Sequence, residues 1–160
     1  MPVLTIIVDA DGCPVKEEVY RVAKRYGLKV VLVANKWMRA PESAWLELVI
    51  VDPASREADD WIVEHVAIDD VVVTPDIPLA AACLERGARV ISPRGRAFTE
   101  ESVGDGLATR EFLAYLRSVG MASGGPPAMT HRDRSQFLHM LDEVVQSIRR
   151  TAHDRGLAPE

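Results

Sequence analysis

The sequence predicts an α/β protein with a central parallel sheet of four to five strands and helices on both faces. The pattern of apolar residues along the chain supports this prediction. Short apolar runs rich in β-branched residues alternate with segments of helical periodicity through about the first ninety residues, which is typical of strands buried on both faces. Such alternation implies parallel strands joined by right-handed crossovers. A chain of 160 residues has the length of one domain, which we place at 1–150, with a flexible tail at 151–160.

The predicted elements follow one another without internal repeats. Five strands are predicted from apolar runs that stop at polar or turn-forming residues. They lie at 3–8, 28–34, 46–51, 71–74 and 88–92. Helices are predicted where apolar residues recur at helical spacing and where Pro or Gly marks an end. They lie at 14–26, at 58–65 with Ser55 as a cap, at 77–86, at 107–119 and at 133–150, and the Gly- and Pro-rich segment 120–127 separates the last two.

Composition excludes several classes of protein. No apolar run approaches the roughly 18 residues that a membrane-spanning helix needs, and the start of the chain lacks the features of a secretory signal. We therefore expect a cytoplasmic protein. The formal net charge of -5 argues against a protein that coats nucleic acid, although it is compatible with a local basic rim that contacts RNA. Cys13 and Cys83 lack the spacing of a zinc site or of a disulfide framework.

Aspartates follow three of the predicted strands. Asp9 and Asp11 come after the first strand, Asp52 after the third and Asp76 after the fourth. The carboxyl ends of parallel strands form one edge of a sheet, and ligands bind at that edge where the strand order reverses. Several carboxylates in one place would repel one another unless a hard cation such as Mg²⁺ or Mn²⁺ lay among them. The sequence therefore predicts a divalent-metal site at this edge.

Each acidic residue also has a purely structural interpretation. An aspartate after a strand often forms a turn or caps a helix, and we favour this interpretation for Asp52. Asp59 and Asp60 lie early in the second predicted helix, where the helix dipole favours carboxylates. Because they are about 100° apart around the helix, we expect at most one to reach the site. Cys13, beside Pro14 at a helix start, could have a lowered pKa, but no His or Arg motif accompanies it.

Basic and aromatic residues are placed where they could contact a nucleic acid. Arginines after the fifth strand and after the Gly/Pro-rich segment could bind phosphates at the rim of the site, although each could equally be a solvated loop charge. They are Arg94, Arg96, Arg132 and Arg134. Trp37, beside Lys36 and Arg39 after the second strand, could stack on a base. We favour the alternative, in which Trp37 anchors its loop.

Four short motifs carry a resemblance to a known family. They are Asp9-Ala10-Asp11-Gly12-Cys13-Pro14-Val15, Ala58-Asp59-Asp60-Trp61-Ile62, Thr74-Pro75-Asp76-Ile77-Pro78-Leu79-Ala80 and Gly124-Gly125-Pro126-Pro127-Ala128, followed by Asp133, Arg134 and Phe137. In this order they resemble the motifs of the YaiI/YqxD family of bacterial proteins. The resemblance extends over roughly residues 3 to 148. It is specific for the family and much less specific for an activity.

The YaiI/YqxD family is itself similar to the PIN-like superfamily. In that superfamily, acidic residues at the carboxyl ends of a parallel sheet bind Mg²⁺ or Mn²⁺ and activate water for phosphodiester hydrolysis. The resemblance implies a PIN-like three-layer sandwich with a nuclease-like site. Asp9 matches the acidic residue that ends the first strand, Asp76 the one after the fourth strand, and Asp59 or Asp60 the one on the intervening helix. Asp11 belongs to the family motif without an assigned PIN-like counterpart.

The leading hypothesis is therefore a metal-dependent nuclease that acts on RNA. Asp9, Asp59 and Asp76 would bind the metal ion, while Asp11 or Asp60 would orient or deprotonate the attacking water. The four arginines named above would contact phosphates. The oligomeric state stays open.

Two other hypotheses remain. Val8-Asp9-Ala10-Asp11-Gly12 resembles the nucleophile motif of haloacid-dehalogenase phosphatases, but Cys13 stands where that motif has Thr or Val. The pair Asp59-Asp60 also precedes Thr74, whereas those phosphatases place their acidic pair last. The third hypothesis is a PIN-like scaffold that binds RNA, a nucleotide or a protein without cleaving it. Aspartates that converge within metal-bridging distance would favour the nuclease over the binding scaffold.

Overall fold

The fold, described from a computed structural model, is a three-layer α/β sandwich, as the sequence predicts. The structure describes residues 4–54, 57–105 and 128–154. The strands are β1 (Thr5–Asp9), β2 (Lys29–Ala34), β3 (Leu46–Ile50), β4 (Val71–Val73), β5 (Arg89–Ile91) and β6 (Ala97–Phe98). The helices with complete bounds are α1 (Lys16–Tyr26), α2 (Ala58–His65), α3 (Ile77–Glu85) and α4 (His131–Asp154). No helix in these ranges is long and apolar enough to cross a bilayer.

The sheet has the strand order β3-β2-β1-β4-β5-β6. The first five strands are parallel, and β6 pairs with β5 in the antiparallel direction. The sequence did not predict β6, because a pairing of two residues has no periodicity of its own. A turn creates it: Ser92 N–H donates to the Arg96 carbonyl over 2.8 Å, and Gly95 N–H donates to the Ser92 carbonyl over 2.9 Å.

Helices cover both faces of the sheet. On one face α1 and α4 enclose a core with the side chains of β1, β2 and β4, and α4 contributes Phe137, Leu141, Val144, Val145 and Ile148. On the other face α2 and α3 cover a second core that includes Ile7, Val33, Val72 and Val90. Alternate residues of each central strand therefore enter different cores, and this explains why the strands are almost continuously apolar.

Local sequence explains where the helices begin and end. Gly27 ends α1 in the left-handed conformation, at φ 65°, which Gly adopts without steric cost. The side chain of Asp76 accepts a hydrogen bond from Leu79 N–H and caps α3. At the start of α4, Thr130 and Asp133 each donate a backbone N–H to the side chain of the other, which is the reciprocal arrangement of a capping box.

Some predictions differ from the structure or lie outside the described residues. Helix α4 continues to Asp154, and Ala152 is buried. The tail predicted from residue 151 therefore begins too early, because apolar contact with the core extends the helix beyond its last predicted turn. The predicted helix at 107–119, the segment 120–127 and the predicted cap Ser55 all lie outside the described residues.

The strand order reverses between β1 and β4. The chain moves outward from β1 through β2 to β3, then returns to the other side of β1 and continues through β4 to β5. Diverging connections leave a crevice beyond the carboxyl ends of the two central strands, and α/β proteins bind ligands in such a crevice. The residues that follow Val8 and Val73 therefore define the candidate site.

Candidate functional site

Asp9 lies at the crevice and is held there by Thr74. Val8 of β1 is aligned with Val73 of β4, so the next residues of the two strands are neighbours. Thr74 Oγ1 donates a hydrogen bond to Asp9 Oδ2 over 2.8 Å. The same Oγ1 accepts a hydrogen bond from Asp76 N–H over 3.1 Å. The buried hydroxyl group thus uses both its donor and its acceptor capacity to join the two strand ends.

Several carboxyl groups act on Asp9 at this position. Burial is the main reason that the pKa of Asp9 is raised above its ordinary value, and the hydrogen bond from Thr74 opposes this effect. The negative charges of Asp59, Asp76 and Asp11 raise the pKa of Asp9 further. The structure therefore brings four of the predicted acidic residues into electrostatic contact. Such a group favours the binding of a proton or of a cation.

Asp76 has a structural role in addition to its place in this group. Its Oδ1 atom accepts a hydrogen bond from Leu79 N–H over 3.0 Å at the start of α3. Its charge also raises the pKa of Asp9, so the carboxyl group that caps the helix also acts on Asp9. The capping hydrogen bond fixes the orientation of this carboxylate. A carboxylate that is already oriented is a better metal ligand than one that rotates freely in solvent.

Asp11 connects the first strand to the second. Its Oδ2 atom accepts a hydrogen bond from Asn35 N–H over 2.7 Å. The side-chain amide of Asn35 donates to the Val51 carbonyl over 3.0 Å, so Asn35 ties together the ends of β1, β2 and β3. Sequence reasoning missed both Asn35 and Thr74 as site residues. Both are neutral polar residues directly after an apolar strand, β2 or β4, and this position could have indicated a role in the site.

Of the acidic pair on α2, Asp59 is the residue that acts on Asp9. Helix α2 buries Ala58 and Ile62 against the sheet, and this orientation leaves Asp59 half-buried and Asp60 exposed. Of these two residues, it is Asp59 whose charge raises the pKa of Asp9. The catalytic role predicted for Asp60 is thus without a supporting contact among the described residues.

Two other candidates from the sequence have structural roles. Asp52 Oδ1 accepts a hydrogen bond from Ala54 N–H over 2.9 Å, which is the turn-forming arrangement favoured for this residue. Cys13 is buried, and burial raises the pKa of its thiol. The lowered pKa considered for Cys13 is therefore wrong, because the loss of solvation outweighs the position at a helix start.

The predicted phosphate-binding arginines fall into two groups. Arg94 Nη1 forms a 2.8 Å ion pair with Asp133. Arg134 donates a hydrogen bond to the Pro14 carbonyl and lies 3.6 Å from Glu18 Oε1. Because Pro14 follows β1, Arg134 lies on the carboxyl side of the sheet, and its acidic partner Glu18 belongs to α1. In contrast, Arg96 and Arg132 are exposed.

The donor chemistry of the site fits a hard divalent cation. Within residues 4–54, 57–105 and 128–154, no group of three or more His, Cys, Asp or Glu side chains is already arranged around one metal position. Mg²⁺ does not require such a cage, because it commonly keeps several waters and binds through one or two carboxylates together with substrate phosphates. Asp9 and Asp76 could supply those carboxylates.

Sequence comparison places this arrangement in a family. The family described as "Uncharacterized BCR, YaiI/YqxD family" matches residues 7–147. The chain belongs to the YaiI/YqxD family. Similar curated YaiI/YqxD relatives carry the name UPF0178 protein. One from Bradyrhizobium sp. (strain ORS 278) is 48% identical over 147 residues, covering 92% of this chain and 90% of the relative. One from Nitrobacter winogradskyi is 45% identical over 155 residues, covering 97% and 99%.

A third YaiI/YqxD relative, from Caulobacter vibrioides (strain NA1000 / CB15N), is 45% identical over 150 residues and covers 94% of this chain and 98% of its own. No solved structure gives a significant match. In this YaiI/YqxD chain, three of the four motifs recognised in the sequence meet at one edge of the sheet. They contribute Asp9 and Asp11, then Asp59, and then Thr74 and Asp76. Most of the fourth motif lies outside the described residues.

Proposed function

We propose that the protein is a cytoplasmic, divalent-metal-dependent phosphodiester hydrolase that acts on RNA. The observation that carries this proposal is the position of Asp9 at the crevice between the two central strands, where the Thr74 hydroxyl joins it to Asp76. The charges of Asp59, Asp76 and Asp11 act on Asp9 there. A hard cation would relieve the repulsion among these carboxylates. The choice of RNA rests on the similarity of the family to PIN-like nucleases.

Each residue at the crevice has a role in this proposal. Asp9 and Asp76 would hold the metal ion, with the charge of Asp59 beside them, and Thr74 keeps the Asp9 carboxylate in place. The bound ion would supply Lewis-acid polarisation of the scissile phosphate. Asp11 is exposed, and its Oδ2 atom is engaged by Asn35, so its second oxygen can orient the attacking water and accept a proton from it.

The exposed arginines have a supporting role. Arg96 and Arg132 contact phosphates outside the reacting centre, since their guanidinium groups lie in solvent. Arg94 and Arg134 form ion pairs with Asp133 and Glu18. Their proposed contribution is to hold the start of α4 beside the crevice.

A second candidate function is RNA binding without hydrolysis. It is favoured by the lack, among the residues that the structure describes, of three ligating side chains already arranged around one metal position. In that case Arg96 and Arg132 would contact the phosphates of RNA, and no residue would activate a water molecule. The two candidates differ in a single measurable property, which is cleavage.

The test is a cleavage assay on a labelled single-stranded RNA in Mg²⁺, in Mn²⁺ and in EDTA. We expect cleavage by the wild type to require a metal ion and to fall roughly 100-fold or more in Asp9→Asn and Asp76→Asn, because metal-ion stabilisation of the transition state is worth several kcal/mol. Asn retains the helix-capping ability of Asp76. Asp52→Asn, on the same edge of the sheet, serves as the matched control and should retain full activity.

Three outcomes would overturn or redirect the proposal. Wild-type protein that binds neither metal ion by calorimetry and cleaves no RNA would contradict it. Metal-dependent RNA binding without cleavage would favour the second candidate. Hydrolysis of p-nitrophenyl phosphate together with a beryllofluoride adduct on Asp9 would instead favour the phosphatase hypothesis.

A further inference from the structure

Trp37 is the most exposed of the large hydrophobic side chains described, at 76%. The anchoring role favoured for it from the sequence is therefore wrong. Other residues of the same loop hold it in place: Met38, Ala40 and Trp45 pack against the core beneath α1. Trp45 also meets Tyr20 edge to face, with ring centroids 5.6 Å apart. The packing of these residues against the core fixes the loop, and the Trp37 side chain is exposed to solvent.

The loop begins directly beside the acidic site. Asn35 N–H donates to Asp11, and Trp37 follows two residues later. Lys16, the first residue of α1, donates a hydrogen bond from Nζ to the Cys13 carbonyl over 2.7 Å. Both contacts reach the segment that connects β1 to α1 and carries Asp11. A ligand that covered Trp37 would therefore approach the proposed reacting centre.

A cavity of about 460 Å³ lies between this loop and α1. It is lined by Lys16, Glu17, Tyr20, Arg39, Ala40 and Pro41. Its volume lies within the range of small-molecule sites, roughly 300–1,000 Å³. Two cationic side chains and one carboxylate line it, and exposed Lys36 adds a further positive charge on the loop. This local positive charge contrasts with the net charge of -5 for the whole chain.

We infer that this loop and cavity bind single-stranded RNA and lead it towards the acidic site. Trp37 stacks on an unpaired base, and Lys36 and Arg39 contact the phosphates on either side of it. An exposed aromatic ring between cationic side chains is the combination that holds single strands, because every base has a stacking face and every nucleotide carries a phosphate. A duplex keeps its bases stacked on one another and offers none to Trp37. The inference rests on the proposed function and names the form of RNA that the site takes.

The experiment measures binding separately from cleavage. Fluorescence anisotropy of a labelled single-stranded RNA is followed in EDTA, where the proposed hydrolysis cannot proceed. We expect Trp37→Leu to raise Kd roughly tenfold, the order expected for one lost base stack, and Trp37→Phe to retain most of the binding. The matched control is Ile68→Ala, since Ile68 is 72% exposed but precedes β4 at the opposite edge of the sheet. This control should leave Kd unchanged.

Salt dependence supplies a readout that a merely structural role would not change. Arg39→Ala should lower the slope of log K against log salt by about 0.7, the value for one phosphate contact on a single strand. The wild type should also bind single-stranded RNA more tightly than duplex RNA of the same length. An unchanged Kd in Trp37→Leu, or equal affinity for duplex and single strand, would overturn the inference.

The outcomes also separate this inference from the proposed hydrolysis. RNA cleavage that needs Asp9 but is indifferent to Trp37 would overturn the inference alone. RNA binding that needs Trp37, without cleavage in either metal, would contradict the proposed hydrolysis and leave the inference standing. A wild-type dimer that Trp37→Leu converts to a monomer, by light scattering, would assign the surface to a second copy of the chain and overturn RNA binding there.

Discussion

The hydroxyl group of Thr74 donates a hydrogen bond to the Asp9 carboxylate and accepts one from the backbone N–H of Asp76. Thr74 is fully buried, and buried polar groups are costly when they lack partners. Its hydrogen bond to Asp9 lowers the pKa of that carboxyl group, against the larger effect of burial. Thr74 therefore helps to keep Asp9 ionised and available to a cation, although the residue carries no charge itself.

Replacing Thr74 tests this role. We expect Thr74→Val to lower the free energy of unfolding by about 1–3 kcal/mol, because Asp76 N–H loses its acceptor and Asp9 loses a donor. The pKa of Asp9 should rise further in this variant. Thr74→Ser, which keeps the hydroxyl group, should lose much less stability. Urea denaturation measures the first effect and carboxyl-carbon NMR titration the second; equal stability of the Val and Ser variants would refute the role.

At the scale of the structural elements, the turn between β5 and β6 packs tightly against the backbone of α4. Gly95 has a φ of 87°, and a Cβ atom there would lie 2.6 Å from the carbonyl carbon of Gln136 and 2.7 Å from the Phe137 nitrogen. The neighbouring Arg94 forms its ion pair with Asp133 on the same helix. The β5–β6 connection thus fixes the beginning of α4. The beginning of α4 carries Arg134, which contacts the segment after β1.

A single methyl group tests this contact. Gly95→Ala should destabilise the protein by more than the roughly 1–2 kcal/mol that a left-handed conformation costs an L-residue, because the added atom also collides with the backbone of α4. Gly27→Ala is the matched control: Gly27 has a similar φ of 65°, with nothing within 4 Å of an added Cβ. The difference between the two variants in chemical denaturation measures the collision. Equal losses would show that α4 can move away freely.

At the scale of the whole molecule, the acidic site should reduce the stability of the metal-free fold at neutral pH. A carboxyl group whose pKa is raised on folding binds its proton more tightly in the folded state. For Asp9, the resulting stabilisation is present below its ordinary pKa of 3.8 and is lost as the pH rises through the higher folded value. Burial raises the pKa of Asp70 in the same direction, so the wild type alone cannot isolate Asp9.

Comparison with Asp9→Asn isolates the contribution of Asp9. Without metal at pH 7, we expect the variant to be at least as stable as the wild type, and the difference should shrink as the pH falls towards 4. Added Mn²⁺ should reverse the order, since a ligand at 100 times its Kd stabilises the folded state by about 2.7 kcal/mol. Thermal unfolding in EDTA and in Mn²⁺ from pH 4 to 8 provides the measurement. A large loss of metal-free stability in Asp9→Asn at pH 7 would mark Asp9 as a structural residue.

The sequence by itself determined the class of fold, the order of its first five strands along the chain and the edge at which the site lies. Apolar runs such as that of β1, helical spacing such as that of α1, and end signals such as Gly27 depend on residues only a few positions apart. Because the predicted strands are parallel, the residues that follow each of them lie at one edge of the sheet. The sequence alone could therefore place Asp9, Asp11 and Asp76 at the same edge of the sheet, while the pairing of β1 with β4 makes Asp9 and Asp76 neighbours.

Only the tertiary structure decided which side chains meet. The sequence does not show whether Asp59 or Asp60 faces the site. Helix α2 buries Ala58 and Ile62 against the sheet, and this orientation leaves Asp59 half-buried and Asp60 exposed. The acidic partner of Arg134 is on α1, and Trp37 is exposed because its loop neighbours Met38, Ala40 and Trp45 occupy the core instead. Strand β6 exists because the turn at Gly95 returns the chain beside β5. These outcomes depend on contacts between segments distant along the chain, whose geometry local periodicity and capping do not encode.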